Sequence, residues 1–279
     1  MPNYGYHLAR AEGQAVRRLY RAALPLIVQH DISARAQLPF DVFSYSGERD
    51  LPEQVASIRS LLRYAGQPRK FTVVSDGTHT ASSIARLRAV NPVVTVTQPA
   101  AFVPTSVPEK LRTYLLEHPT GKQLAVIMAL PMDAPALYID SDVLFFPGAA
   151  QLASFLIEDS APTSYLADCG LSADERVFRS LEEQANPVNT GVLFLRRKLD
   201  WSLAIDRFLE LTDTPTFFTN QTMTHLAMHA NGGRPLDARK FVLQLDDQFV
   251  HADRYAGPEI ILRHYVNPVR HKFWTALPR

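Results

Sequence analysis

Short apolar runs alternate with stretches of helical period along most of this chain, and that alternation most narrows its fold. Residues 40–46 form a β-rich run ending at Gly47, and residues 51–64 follow with Val55, Ile58, Leu61 and Leu62 on one helical face. That helix is expected to stop at Ala65-Gly66. Residues 71–74 read as a second strand closed by Ser75-Asp76-Gly77, residues 82–89 as a helix, and residues 92–96 as a third strand. Strand, helix and strand in repetition predict an α/β fold, with a mostly parallel central sheet flanked by helices.

Further on, helices are expected over residues 110–117 and 122–130, with proline-containing loops at 99–108 and 118–121. Ala136-Leu137-Tyr138-Ile139 is bounded by turn chemistry and reads as a buried central strand. Residues 143–146 and 192–195 are apolar again, and residues 201–211 and 219–230 have helical patterns. The first segment, residues 11–30, places Val16, Leu19, Tyr20, Ala23 and Leu24 at helical spacing, with Arg17, Arg18 and Arg21 on or near the other face. It reads as a solvated amphipathic helix, a membrane-surface role being the sharper alternative. The expected division is an N-terminal helical segment over residues 1–35 and a single domain over 36–279, with no repeat or linker inside it.

Composition excludes more than it selects. With 29 Lys plus Arg against 28 Asp plus Glu and 46% apolar residues, the chain is neither disordered nor a polybasic nucleic-acid arm. Its one cysteine, Cys169, rules out an intrachain disulfide and a Cys-rich zinc site, and is expected to be a partly buried thiol. No apolar run approaches the roughly 20 residues that cross a bilayer. The expectation is a protein without a transmembrane segment, cytoplasmic, either free or peripheral to a membrane, and without a nucleic-acid partner.

The sharpest chemical feature is Asp140-Ser141-Asp142, directly after the central strand. An acidic pair there points into the crevice where open α/β sheets bind ligands. Two close carboxylates raise each other's pKa unless a cation joins them, and hard oxygen ligands suit Mg²⁺ or Mn²⁺. His264, again just after an apolar run, is the candidate third ligand, and Arg270, His271 and Lys272 follow as a cationic cluster suited to a diphosphate. Asn189-Thr190-Gly191 offers hydroxyl-recognising groups and a glycine that admits close approach, and by itself reads as a turn. Asn220-Gln221 open a helix on which His225 and His229 stand four apart, without the glutamate a zinc protease needs. Asp246-Asp247 is a second acidic pair, held in reserve. No G-x-S-x-G, Walker A or G-x-G-x-x-G motif is present.

In order and spacing these motifs resemble a GT-A (Rossmann-like) glycosyltransferase, and look most like glycosyltransferase family 8. The strand–Ser44–helix unit resembles the family's first βα unit and residues 71–77, with Asp76, its second. Residues 137–142 resemble its D-x-D strand, Asn189-Thr190-Gly191-Val192 its Asn-small-Gly-Val stretch, and Asn220-Gln221 its acidic-Gln pair. His264-Tyr265 through Lys272-Phe273-Trp274 resembles its closing motif. The resemblance implies transfer of a hexose from a nucleotide-diphospho-sugar, usually UDP-linked, with retention, to a saccharide, lipid or protein acceptor. It implies Mn²⁺ (or Mg²⁺) on Asp140, Asp142 and His264, and a donor met by Ser44, Asp76, Lys122, Ser141, Thr190 and Gly191. Arg270 or Lys272 is implied at the diphosphate, with Asn189 and Gln221 at the donor sugar and its reacting carbon. Two other readings compete: a D-x-D phosphotransferase or phosphatase with Asp140 as nucleophile and Asp246-Asp247 on Mg²⁺, and a non-catalytic nucleotide-sugar-binding module.

Overall fold

The structure is a computed structural model that describes residues 3–32, 36–104, 106–158 and 163–277. In chain order the elements are α1 (Tyr4–Ile27), β1 (Gln37–Leu38), β2 (Asp41–Ser46), α2 (Leu51–Tyr64), β3 (Gln67–Pro68), β4 (Phe71–Ser75), α3 (Ala81–Ala89) and β5 (Val94–Thr97). Then come α4 (Glu109–Glu117), α5 (Pro119–Met128), β6 (Ala136–Ile139), β7 (Val143–Phe145), α6 (Leu152–Glu158), β8 (Thr163–Ala167) and β9 (Val188–Leu195). The chain closes with α7 (Ser202–Glu210), α8 (Thr219–Ala230), β10 (Arg234–Pro235), β11 (Phe241–Val242), β12 (Leu262–His264) and α9 (Lys272–Ala276).

Among the described residues the main sheet has seven strands in the order β10-β8-β9-β6-β2-β4-β5. Its pairs are parallel except where β9 lies antiparallel to both β6 and β8. Alternating side chains on each strand serve two apolar layers, as a sheet covered on both faces requires. Val42, Val73, Leu137 and Ile139 point to one layer with Val55 and Ile58 of α2. Phe43, Val74, Tyr138 and Leu193 point to the other with Leu124 of α5 and Met223 of α8. Each such fully buried aliphatic side chain contributes about 1.5–3 kcal/mol, so the central strands are fixed in register.

Local chemistry sets the helix ends. Asn3 caps α1 by accepting from the Tyr6 N–H, and Thr80 caps α3 by accepting from the Ser83 N–H. Helix α5 begins at Pro119, so the expected loop over 118–121 is instead its first turn, with the His118 side chain accepting from Thr120 N–H. Proline at the first helical position loses no hydrogen bond, which is why it starts this helix rather than breaking it. Helix α1 starts seven residues before the expected Ala11, and Pro25 lies inside its last turn. Residues 1–2 and 33–35 of the expected N-terminal segment, and Thr105 of the expected loop over 99–108, lie outside the described residues. Among the described residues no helix is long and apolar enough to cross a membrane.

The topology gathers several chain segments at one edge of the sheet. Strands β2, β4, β6 and β8 are parallel, so their C-terminal ends share that edge, where open α/β sheets bind ligands. Strand β9 runs the other way and presents its N-terminal end there: Ile139 pairs with Val192, leaving Asn189, Thr190 and Gly191 beyond the end of β6. A second sheet, β11-β12-β7, carries the C-terminal part back to the same place.

Candidate active site

Asp140 stands at the end of β6, and its backbone N–H donates to Gly191 O at 2.9 Å. Its Oδ1 accepts from Gln123 Nε2 at 2.8 Å and from the Tyr138 hydroxyl at 3.0 Å. Burial pushes the Tyr138 phenol well above its ordinary pKa, so it stays a neutral donor. With Oδ1 so engaged, Oδ2 is the oxygen directed at His264 Nε2, 3.6 Å away.

The register of the second sheet delivers that histidine. Strand β12 pairs antiparallel with β7, His264 opposite Val143, and Tyr265 N–H donates to Asp142 O at 3.0 Å. His264 Nε2 lies 3.1 Å from Asp142 Oδ1, and its Nδ1 lies 2.9 Å from Asn189 Oδ1. An amide oxygen can only accept, so Asn189 holds a proton on Nδ1 and leaves Nε2 as the ring nitrogen that faces the two carboxylates. The Gly191 N–H donates to the same Asn189 oxygen at 2.9 Å, which fixes the amide. A Cβ at Gly191 would sit 2.1 Å from His264 Cε1. The close approach that Gly191 permits is therefore by the histidine ring, rather than by a ligand as its sequence context implied.

The three groups shift one another's protonation. Burial raises the Asp140 carboxyl above its usual range, and neighbouring Asp142 adds to that. Burial pushes Asp142 the same way, but the charges of His264 and Arg270 outweigh it and hold that carboxyl low. Burial alone would lower the His264 imidazole, yet Asp142 raises it. Asp140, Asp142 and His264 each offer a ligand atom, all within 4.8 Å of one another. Ligands held at about 2.1 Å and at right angles around a divalent ion lie about 3 Å apart. Two carboxylates and an oriented imidazole at this spacing fit Mn²⁺ or Mg²⁺, and the Asn189 contact behind the imidazole is what metal-ligating histidines require.

Around the trio lies a cleft of about 420 Å³. Arg270 spans it, 3.5 Å from Asp142 Oδ2 and donating to Asp50 Oδ1 at 2.9 Å. Gln221, near the start of α8, donates from Nε2 to Asp168 Oδ2 at 3.0 Å and to Ser172 O at 2.8 Å. That fixes the amide so that its Oε1 accepts from Thr190 Oγ1, 3.5 Å away. Asn220 donates to Gln123 Oε1 at 3.0 Å, tying α8 to α5 and through Gln123 to Asp140.

The structure thus brings Asp140, Asp142, His264, Asn189, Thr190, Gln221 and Arg270 to one cleft, with Gly191 beneath the histidine. Asn189-Thr190-Gly191 is strand rather than turn, because β9 continues over it, with Asn189 paired to Leu166 of β8 and a register shift across Thr190 and Gly191. Ser141 occupies the turn between the aspartates and is buried. Other expected residues are not gathered here. Ser44 is buried within β2, donating to Gln54 Oε1 at 2.8 Å. Asp76 lies past the end of β4 and accepts from Thr78 N–H at 2.8 Å. Lys122 is on α5, but its neighbour Gln123 is the residue that faces the cleft. Lys272 is fully buried and donates to Asp247 Oδ2 at 3.1 Å and Ala252 O at 2.8 Å, so Arg270 alone of the two cations reaches the cleft.

The reserve pair is spent elsewhere: Asp247 takes Arg263 and Lys272, and Asp246 accepts from the Tyr255 hydroxyl. His225 and His229 face Glu183 O and Asn186 O, not a metal. Cys169 is exposed after β8, correcting the expected partial burial. Gln123, Asp168 and Asp50 are cleft or supporting residues that the sequence reading missed. Asp168 had a usable signal, being an acid directly after a strand as Asp140 is.

No family model matches the chain, and no curated protein matches it. Comparison with solved structures does find relatives of its shape. The galactosyltransferase LgtC, in complex with donor and acceptor sugar analogues, is 12% identical with a TM-score of 0.52, over 86% of this chain and 97% of its own. Mouse xyloside xylosyltransferase 1 is 11% identical with a TM-score of 0.56, over 84% of this chain and 99% of its own. The chain has the GT-A fold. A third GT-A structure, the bifunctional glycosyltransferase WbbM, is 12% identical with a TM-score of 0.57, over 90% of this chain and 51% of its own.

Proposed function

We propose that this protein is a divalent-cation-dependent glycosyltransferase that moves a hexose from a nucleotide-diphospho-sugar, UDP-linked by preference, to an acceptor. One observation carries the reading: Asp140, Asp142 and an Asn189-oriented His264 converge at the cleft edge of a GT-A sheet. Asp140, Asp142 and His264 would hold Mn²⁺ or Mg²⁺, which when bound supplies Lewis-acid stabilisation to a departing diphosphate. Arg270, held between Asp50 and Asp142, adds a fixed positive charge beside that group. Thr190 and Asn189 present neutral donors and acceptors to sugar hydroxyls. Gln221 presents a fixed amide oxygen rather than a base, so its work is to orient the donor sugar and hold its developing charge. The LgtC neighbour has been solved with an active-site glutamine changed to glutamate, which supports testing Gln221 as such a residue. Retention of configuration follows from the same family reading.

Calorimetric titration of UDP, GDP and inorganic diphosphate, with and without Mn²⁺, tests the proposal. Nucleoside diphosphate binding should require the metal and disappear in Asp142→Ala and in His264→Ala. Equal binding without metal, unaltered in both variants and with no donor hydrolysis, would sink it.

A further inference from the structure

Helix α1 carries apolar residues on two faces, and only one of them packs on the protein. On the inner face Ala9, Gly13 and Leu24 are buried. Gly13 has no room for a side chain, since a Cβ there would lie 2.2 Å from His271 O, and Tyr20 packs its ring against Trp274 with centroids 5.0 Å apart. Arg17 reaches Glu53 and donates to Arg49 O at 2.7 Å. These contacts fix which side of the helix faces outward.

The outward side is not polar. Tyr4, Leu8, Ala11, Ala15, Leu19, Ala22 and Leu26 succeed one another at steps of three or four residues, and all are exposed. The four large ones are exposed by 76%, 60%, 70% and 65%, respectively. Steps of that size keep them in one stripe roughly 33 Å long. Arg18 borders the stripe, and Arg21 and Arg10 stand further round the same side, Arg10 with Nη1 3.5 Å from the Tyr6 hydroxyl; all three are exposed and, among the described residues, without a carboxylate partner. The one acid of the helix, Glu12, lies 2.7 Å from His251 Nε2. An apolar stripe with a cationic margin is complementary to the acyl boundary and headgroups of an anionic bilayer. A second copy fits it poorly: Arg18 borders the stripe beside Ala15 and Ala22, and two such helices packed together would bring their arginines close.

We infer that the outward face of α1 docks the protein in the plane of an anionic lipid bilayer, with the helix lying on the surface. The test is co-sedimentation of the full chain with vesicles of phosphatidylcholine alone and of phosphatidylcholine with phosphatidylglycerol in roughly a 7:3 ratio. Binding is expected to the anionic vesicles alone, and to weaken between about 0.1 and about 0.5 M salt. Each of Arg10→Gln, Arg18→Gln and Arg21→Gln should cost about fivefold, and Leu8→Ser/Leu19→Ser/Leu26→Ser at least about tenfold. All lie at exposed positions, so thermal melting should stay near that of the parent. Binding that is absent, indifferent to lipid charge, or unchanged in both sets of folded variants overturns the inference. So does a dimer in sedimentation velocity that the leucine substitutions dissociate while vesicle binding is absent.

Discussion

Replacing Gly191 with alanine adds one methyl group, and its consequence can be worked out from the geometry. The new Cβ would stand 2.1 Å from His264 Cε1 and 2.4 Å from Nδ1. Ordinary carbon contacts are about 3.5–4.0 Å, so something must retreat by more than about 1 Å. The backbone cannot yield readily, because Gly191 O accepts from Asp140 N–H and Gly191 N–H donates to Asn189 Oδ1, each at 2.9 Å. The imidazole therefore moves, and in moving it loses Asn189 Oδ1, now 2.9 Å from Nδ1. Metal–ligand distances tolerate about 0.2 Å, so a displacement this large takes His264 out of the donor set. Losing an outer-shell partner alone costs about 10–100-fold in metal affinity, and losing the ligand should cost at least about 100-fold.

Stability should fall far less. Overpacking costs about 1–3 kcal/mol, partly offset by removing a strand glycine, which predicts a Tm lower by only a few degrees. The assay is Mn²⁺ titration by calorimetry or by the paramagnetic signal of free Mn²⁺, with thermal melting in parallel. Gly257→Ala is the control, since a Cβ there meets nothing within 4 Å. A folded Gly191→Ala protein that binds Mn²⁺ within threefold or so of the parent would refute the reasoning.

Asn189→Ala should lower Mn²⁺ affinity by about 10–100-fold while His264 stays in place, measured by the same titration. Lys272→Met leaves Asp247 with one fewer partner in a fully buried network and should cost about 3–5 kcal/mol in denaturant unfolding. In the surviving folded protein nucleotide affinity should fall modestly, because the loop that carries Arg270 loses one anchor, whereas Arg270→Gln should weaken nucleotide binding more with a smaller loss of stability. His225 is buried, with its pKa pushed down to about 4 by burial first and then by His229. Its unfolded pKa is higher, so the stability it contributes is present above about pH 6.5 and is lost as pH falls toward 4. Solvent screening limits that loss to about 1–2 kcal/mol, and the difference in unfolding free energy between the parent and His225→Gln across that range measures it.

The layered fold was legible because a sheet covered on both faces leaves a period the sequence cannot hide. Leu137, Tyr138 and Ile139 are all apolar because successive residues serve opposite layers. Asp140 and Asp142 were legible for the complementary reason, that charge directly after such a run has no structural need to be there. Asn189 to Gly191 misled locally, since those residue types favour turns, and tertiary pairing with β8 overrode the preference. Lys272 misled because a lysine in a cationic cluster reads as a charge facing a diphosphate, and its burial depends on Asp247, 25 residues upstream. Gln123 and Asp50 were not legible, because each acts through a contact across long separation and neither lies in a patterned motif.

Strand alternation explains why Arg263 and His264, adjacent in sequence, have opposite fates. Successive side chains on β12 point to opposite sides, so His264 enters the cleft while Arg263 enters the buried cluster with Asp247 and Asp253. Asp247 also takes Lys272 of α9, and its carboxyl stays low because those cations outweigh the effect of burial. The cluster therefore ties β12 to the segment that follows β11 and to the last helix, on either side of the loop that carries Arg270. A charge network of this kind adds little net stability compared with apolar packing. What it can fix is placement: with Arg263 and Lys272 both anchored on Asp247, His264 and Arg270 have little freedom to drift from Asp142. The Asp140–Asp142–His264 trio is then positioned from two directions, by Asn189 through the imidazole and by Asp247 through the backbone of β12.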